Sequence, residues 1–234
     1  MLTRRPPRDA GFTLIELIMS VSILGIIAVA LTGVLFEYLR NAQETSTRQN
    51  ESSDQQFIAA FWQQDVSSLG VHGFVAAALS PLPQKQSVWT TDAGAPAGVP
   101  ASCTGIANTV IGFAWNDYQA ASTTDPDAAW SGAAVSAAVY FTKTVANANG
   151  SQQTQLWRTR CMTTGTVQSN VLARFLTAAP TVACTATDRS PLSCTSSSPV
   201  PANVLLTLQV QDRSQAVHNS TGYTTTLTAQ RRQG

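Results

Sequence analysis

Gly11-Phe12-Thr13-Leu14-Ile15-Glu16-Leu17 opens an apolar run that continues through Ile18, Val21, Ile23, Leu24, Ile26, Ile27, Val29, Leu31, Val34 and Leu35 to Phe36. Glu16 is the only ionisable side chain in it. As a helix rising about 1.5 Å per residue, the run crosses a bilayer core of roughly 30 Å with some to spare. An acid in such a segment costs about 2.5–3.5 kcal/mol. It is kept where something pairs with it, or where it snorkels from a helix end into the headgroups.

Arg4, Arg5 and Arg8 precede the run, partly offset by Asp9, so the N-terminus is expected in the cytoplasm and the remainder outside. A competing reading comes from Ala28-Val29-Ala30, a small-x-small triplet of the signal-peptidase kind, which would start the mature chain at Leu31. Against it, apolar residues continue past that cut to Phe36, and the core of a secretory signal rarely carries an acid.

A short basic leader ending in Gly11, then Phe12, then Glu16 four residues on, resembles the N-terminus of type IV pilins and type II secretion pseudopilins. The resemblance implies cleavage by a membrane prepilin peptidase between Gly11 and Phe12, N-methylation of Phe12, and a role for Glu16 in filament assembly. It gives the leader as residues 1–11 and the membrane and filament-core half of a helix as 12–36. Gly33 stands where major pilins usually carry Pro, which argues against a major subunit; close packing with a neighbouring helix is the equal alternative. Cleavage would expose a cationic amine on Phe12 beside the same apolar phase. Opposite charges attract strongly there, and either alone is penalised. Glu16 is about one turn from Phe12, so it can pair with its own amine or with a neighbouring subunit's; the resemblance favours the neighbour.

Residues 37–70 are read as the extracytoplasmic half of the same helix. Residues 40–56 lack Pro and Gly but are polar nearly all round. Phe57, Ile58, Phe61, Trp62 and Leu69 then recur at helical spacing, with Gln63, Gln64 and Asp65 assigned to other faces. Gly70 and Gly73 close the segment. The aromatic stripe is expected to be core.

Residues 71–234 are expected to form one β-rich head. Residues 80–102 read as an irregular surface excursion. Strands are expected at 109–115, 137–145, 154–161, 204–210 and 223–229, with Asn149-Gly150 turning the middle pair into a hairpin. The fold class is α+β: a long N-terminal helix packed on an antiparallel sheet. This order resembles the larger minor pilins and the J class of minor pseudopilins.

Cys103, Cys161, Cys184 and Cys194 all fall on the exported side, where disulfides form. Of three possible connectivities, Cys184–Cys194 and Cys103–Cys161 are expected. Their spacing is not that of a zinc site. His72 and His218 lack a nucleophile motif, and Asp117, Asp125 and Asp127 lack calcium-loop spacing, so neither catalysis nor a metal or other cofactor is expected. A net charge of +1, with 12% charged residues, gives no electrostatic reason to seek nucleic acid, although Arg158, Arg160 and Arg174 could cluster. The expected partners are prepilin peptidase, other pilin or pseudopilin subunits, and cytoplasmic-membrane lipid before assembly. The alternative of another class is a tip-located binding module, an adhesin or DNA-uptake subunit.

Overall fold

The structure, a computed structural model, describes residues 13–70, 74–75, 80–81, 87–96, 98–116, 135–146, 150, 152–162, 165, 167–196, 199–210 and 223–232. Gly11, Phe12, Gly73, His72, His218, Asp117, Asp125 and Asp127 lie outside these.

One helix, α1, runs Leu14–Ser67. Thr13 starts it: the Glu16 N–H donates to the Thr13 carbonyl at 3.1 Å and lies 3.4 Å from the Thr13 Oγ1. This is the N-cap half of a Thr-x-x-Glu box. Ser20, Ser22 and Thr32 each donate to the carbonyl four residues back at 2.7–2.8 Å. Their hydroxyls are thereby satisfied within the helix, as an apolar surrounding requires.

The chain divides into two compact units, the first ending at Arg48 and the second running from Gln49 to Gly234. Among the described residues, the second contains the last turns of α1 and eleven strands. Strands β1 (Phe74–Val75) and β2 (Ser80–Pro81) form a small ladder of their own. The main sheet contains β3 (Val88–Trp89), β4 (Thr109–Asn116), β5 (Val135–Ala146), β6 (Gln152–Cys161), β7 (Val167–Leu176), β8 (Thr181–Thr185), β9 (Pro191–Leu192), β10 (Asn203–Val210) and β11 (Tyr223–Gln230). Their order is β3-β4-β5-β6-β7-β10-β8-β9, every pair antiparallel. The end of β7 and all of β8 meet one edge of β10, and β11 lines its other edge.

The α+β architecture and the five expected strands are present. Other elements differ from expectation. Val88 and Trp89, placed in the irregular excursion, are buried on the edge of β4. The stretch between the two hairpins, where no strand is expected, holds β7, β8 and β9. Strand β7 escapes a period-2 search because its pairing to β6 shifts register twice, around Leu156, and Phe175 has a positive φ of 63°.

α1 packs on one sheet face. Ile58, Trp62, Val66 and Leu69 meet Ile111, Phe113, Ala138, Tyr140, Leu156, Val204 and Leu206 in one core. Trp62 stands edge-on to Phe113 (5.2 Å) and Tyr140 (5.1 Å) and donates its indole N–H to the Val204 carbonyl at 3.2 Å. Phe57 departs from the expected stripe and is exposed, whereas Ile58 beside it is buried. Gly70 ends the helical segment with φ 147°; its N–H donates to Ala114 and its carbonyl accepts from the Asn116 N–H, both at 3.3 Å. The helix exit is thus stitched to β4.

The other sheet face carries a smaller core of Trp89, Cys103, Ala114, Val135, Ala137, Val139 and Cys161. Cys103 is disulfide-bonded to Cys161 across 58 residues, and Cys184 to Cys194 across 10. Loop closure makes these worth about 4 and about 3 kcal/mol. Gly112 faces Trp89 across the β3–β4 ladder, and the indole occupies the space a Cβ at 112 would need. Gly112→Ala should cost about 1–3 kcal/mol, because buried Trp89 has no free direction to move. Thermal unfolding of the detergent-solubilised protein reads this; an unchanged melting temperature would contradict the packing described.

Candidate functional site

Two features concentrate the unusual chemistry, one in each compact unit. In the first, the large apolar side chains from Leu14 to Leu39 are 48–78% exposed. Leu14–Ala42, 29 residues, is long and apolar enough to cross a membrane. None of the described residues of the first unit covers it, which fits a surface made for lipid or another polypeptide. Glu16 lies in the first turn of this helix, where the helix dipole favours a carboxylate.

In the second unit, Asp65 projects from α1 into the core. Arg158 of β6 grips it through two bonds, Nε–H to Oδ2 and an Nη2 N–H to Oδ1, both 2.6 Å. The Tyr140 hydroxyl of β5 donates to the same Oδ2 at 2.7 Å. Asp65 and Arg158 are 1% and 2% exposed. The Phe61 ring of α1 covers the guanidinium at 4.6 Å, adding a cation–π contact. Fork-on-carboxylate geometry fixes both rotation and translation of the helix end against β5 and β6. Asp65 was expected on a face away from the core. The structure places it within the stripe, since positions 58, 62, 65, 66 and 69 share one helix face.

Burial pushes the Tyr140 phenol well above its usual value, reinforced by the negative charge and hydrogen bond of Asp65 and partly offset by Arg158. Burial opposes the Arg158 charge, yet the Asp65 bonds and charge outweigh it and raise Arg158 further. The Tyr140 shift carries a pH signature. A phenol whose folded value lies above its unfolded value contributes stability that is intact below about pH 10 and is lost as pH rises toward the folded value. Tyr140→Phe should therefore cost about 1.5–3 kcal/mol at pH 8, the range for a hydrogen bond to a charged group. Above pH 10 that deficit should shrink, because only the wild type then releases a proton on unfolding. Melting temperatures of both proteins at pH 8 and near pH 11 check it; a constant gap would refute the titration.

The three arginines once grouped as a possible basic cluster have separate engagements. Arg158 is consumed by Asp65, Arg160 lies 5.5 Å from the Trp115 ring, and exposed Arg174 attracts Asp54 of α1. Burial raises the Asp54 carboxyl, and Arg174 pulls it back down. Among the described residues, no three His, Cys, Asp or Glu side chains gather where they would hold a metal ion.

No curated protein matches the chain. The prokaryotic N-terminal methylation motif matches residues 6–32, a span that contains Gly11, Phe12, Glu16 and most of the exposed apolar helix. The motif implies leader processing by prepilin peptidase and assembly with other pilin subunits. That motif, joined to a long apolar helix and an antiparallel β-sheet head, supports a protein of the type IV pilin and pseudopilin kind.

Proposed function

We propose that the protein is a minor pilin or pseudopilin: an assembly subunit, not an enzyme, that helps prime or cap a type IV pilus or a type II secretion pseudopilus. The carrying observation is the exposed apolar helix with a single acid at its start. Lipid covers such a helix before assembly, and the helices of neighbouring subunits cover it afterwards. In this reading the N-terminus faces the cytoplasm and the head lies outside. Gly33, in place of the usual proline of major subunits, and a head built on a nine-stranded sheet support a minor role.

Anchoring of the helix end by Asp65, Arg158 and Tyr140 suits this work. A helix held in a filament transmits load to its head through whatever joins the two, and a bidentate buried pair resists both sliding and rotation. The separate engagements of Arg158, Arg160 and Arg174 count against a nucleic-acid receptor at the tip.

The test is mass spectrometry of the N-terminal peptide from membrane and sheared-surface fractions, with the protein counted relative to the other subunits. N-methylated Phe12 and presence well below the most abundant subunit support the proposal. A start at Leu31 would end it, and parity with the most abundant subunit would end the minor role.

A further inference from the structure

Strand β11 is an open edge of unusual form. Its register with β10 runs unbroken through eight pairs, from Asn203↔Gln230 to Val210↔Tyr223. Among the described residues it pairs with no other strand. The sequence, Tyr-Thr-Thr-Thr-Leu-Thr-Ala-Gln, holds no charge, no Pro and no Gly. Exposed edges are normally blunted by a bulge, a proline, an inward-pointing charge or a very short strand. The opposite end of the sheet follows that rule, closing on the two-residue β3. β11 uses none of these devices.

The direction of its backbone groups follows from two bonds. The Arg231 N–H donates to the Ala202 carbonyl at 2.8 Å, and the Gln209 carbonyl accepts from Thr177 on the far side of β10. Antiparallel ladders alternate, so Thr225, Leu227 and Ala229 turn their N–H and C=O groups toward β10. Thr224, Thr226, Thr228 and Gln230 turn theirs outward, and the side chains of these four are exposed.

At the end of this edge stand Arg231 and Arg232. Arg231 is half-buried, and its Nε and Nη1 are buried without a hydrogen-bond partner. Burial alone lowers its pKa. A guanidinium so placed gains from any carboxylate that reaches it.

We propose that β11 is a docking edge for strand addition: it takes an uncharged, β-branched extended segment of another polypeptide, with a carboxylate at the end lying beside Arg231 and Arg232. Backbone bonds to Thr224, Thr226, Thr228 and Gln230 supply the affinity, and the two arginines fix register. As a contact between filament subunits it rests on the assembly role above, and it names the chemistry the neighbour must present.

The probe is a fluorescein-labelled peptide, Glu-Thr-Val-Thr-Val-Thr-Val-Thr, titrated by anisotropy into the full-length protein in detergent. Saturable binding is expected. It should weaken at least tenfold in Thr228→Pro, which removes an outward N–H while leaving the β10 ladder its bonds. It should also weaken at least fivefold in the double variant Arg231→Ala/Arg232→Ala, and when Lys replaces the peptide's Glu. Hydrogen exchange on the wild type gives a second readout that needs no variant: outward amides at 224, 226, 228 and 230 should become protected when peptide is added. No saturable binding, or binding without that protection, overturns the proposal. Neither readout involves filaments, so failure here leaves the assembly role standing. Absence of methylated Phe12 would remove that role and leave the edge.

Discussion

Asp65→Asn should lower the stability of the head by about 3–5 kcal/mol, because it strands a buried guanidinium. For a unit of this size that is a fall of roughly 6–20 °C in melting temperature. The magnitude follows from which term survives the substitution. Asn keeps the shape and can still accept one bond, but it takes away the charge that offsets the desolvation of Arg158, itself only 2% exposed. Tyr140 loses its charged acceptor in the same step. If desolvation governs, removing both charges should be far gentler than removing one. Asp65→Leu with Arg158→Met and Tyr140→Phe fills the site with apolar volume, and should recover most of the loss. Thermal unfolding in detergent across this series measures the coupling. A cost below 1 kcal/mol for Asp65→Asn would mean that water or a shifted side chain reaches Arg158, and that the anchor described here is not closed.

The same triad shows where reading residues in order reaches its limit. Ile58, Trp62 and Leu69 announce a helix face by periodicity, and strands with intact alternation, such as Val204 to Val210, announce theirs. Asp65 sits on the same helix face, but its chemistry argues for solvent, so an amphipathic reading removes it. Only its partner could rescue it, and that partner is 93 residues away on β6. Arg158 is hidden for the mirror reason: an arginine in a strand reads as surface until the acid opposite is known. The Thr13-x-x-Glu16 box at the helix start is local, yet it is hidden behind the stronger membrane signal of the residues that follow. Strands β3 and β7 were lost for a different cause. A two-residue strand has no period, and β7 carries its irregularity in its own pairing. Regular periodicity survived reading in sequence order, and so did the Cys103–Cys161 pairing across 58 residues; the buried ion pair and the irregular strands did not.

Glu16→Gln should leave leader removal and the membrane level of the protein close to wild type, while its amount in the sheared filament fraction falls at least tenfold. Gln is the informative substitution because the proposed assembly role gives Glu16 two separable duties at the start of α1. One is local: the residue closes the first turn over Thr13, through its own N–H, and a Gln side chain suits that position as well as Glu does. The other is the charge. In lipid a lone carboxylate costs about 2.5–3.5 kcal/mol, a cost relieved when an ammonium on a neighbouring subunit meets it. Removing the charge therefore stabilises the waiting, membrane-held form and destabilises the assembled one, and both shifts act against assembly. Glu16→Ala should behave the same way, with a further small loss of helix start. Quantitative blotting of membrane and sheared fractions, with the Phe12 methylation state read by mass spectrometry, separates processing from assembly. Normal incorporation of Glu16→Gln would mean that the carboxylate serves the helix terminus alone, and the charge-pair account of subunit registration would have to be abandoned.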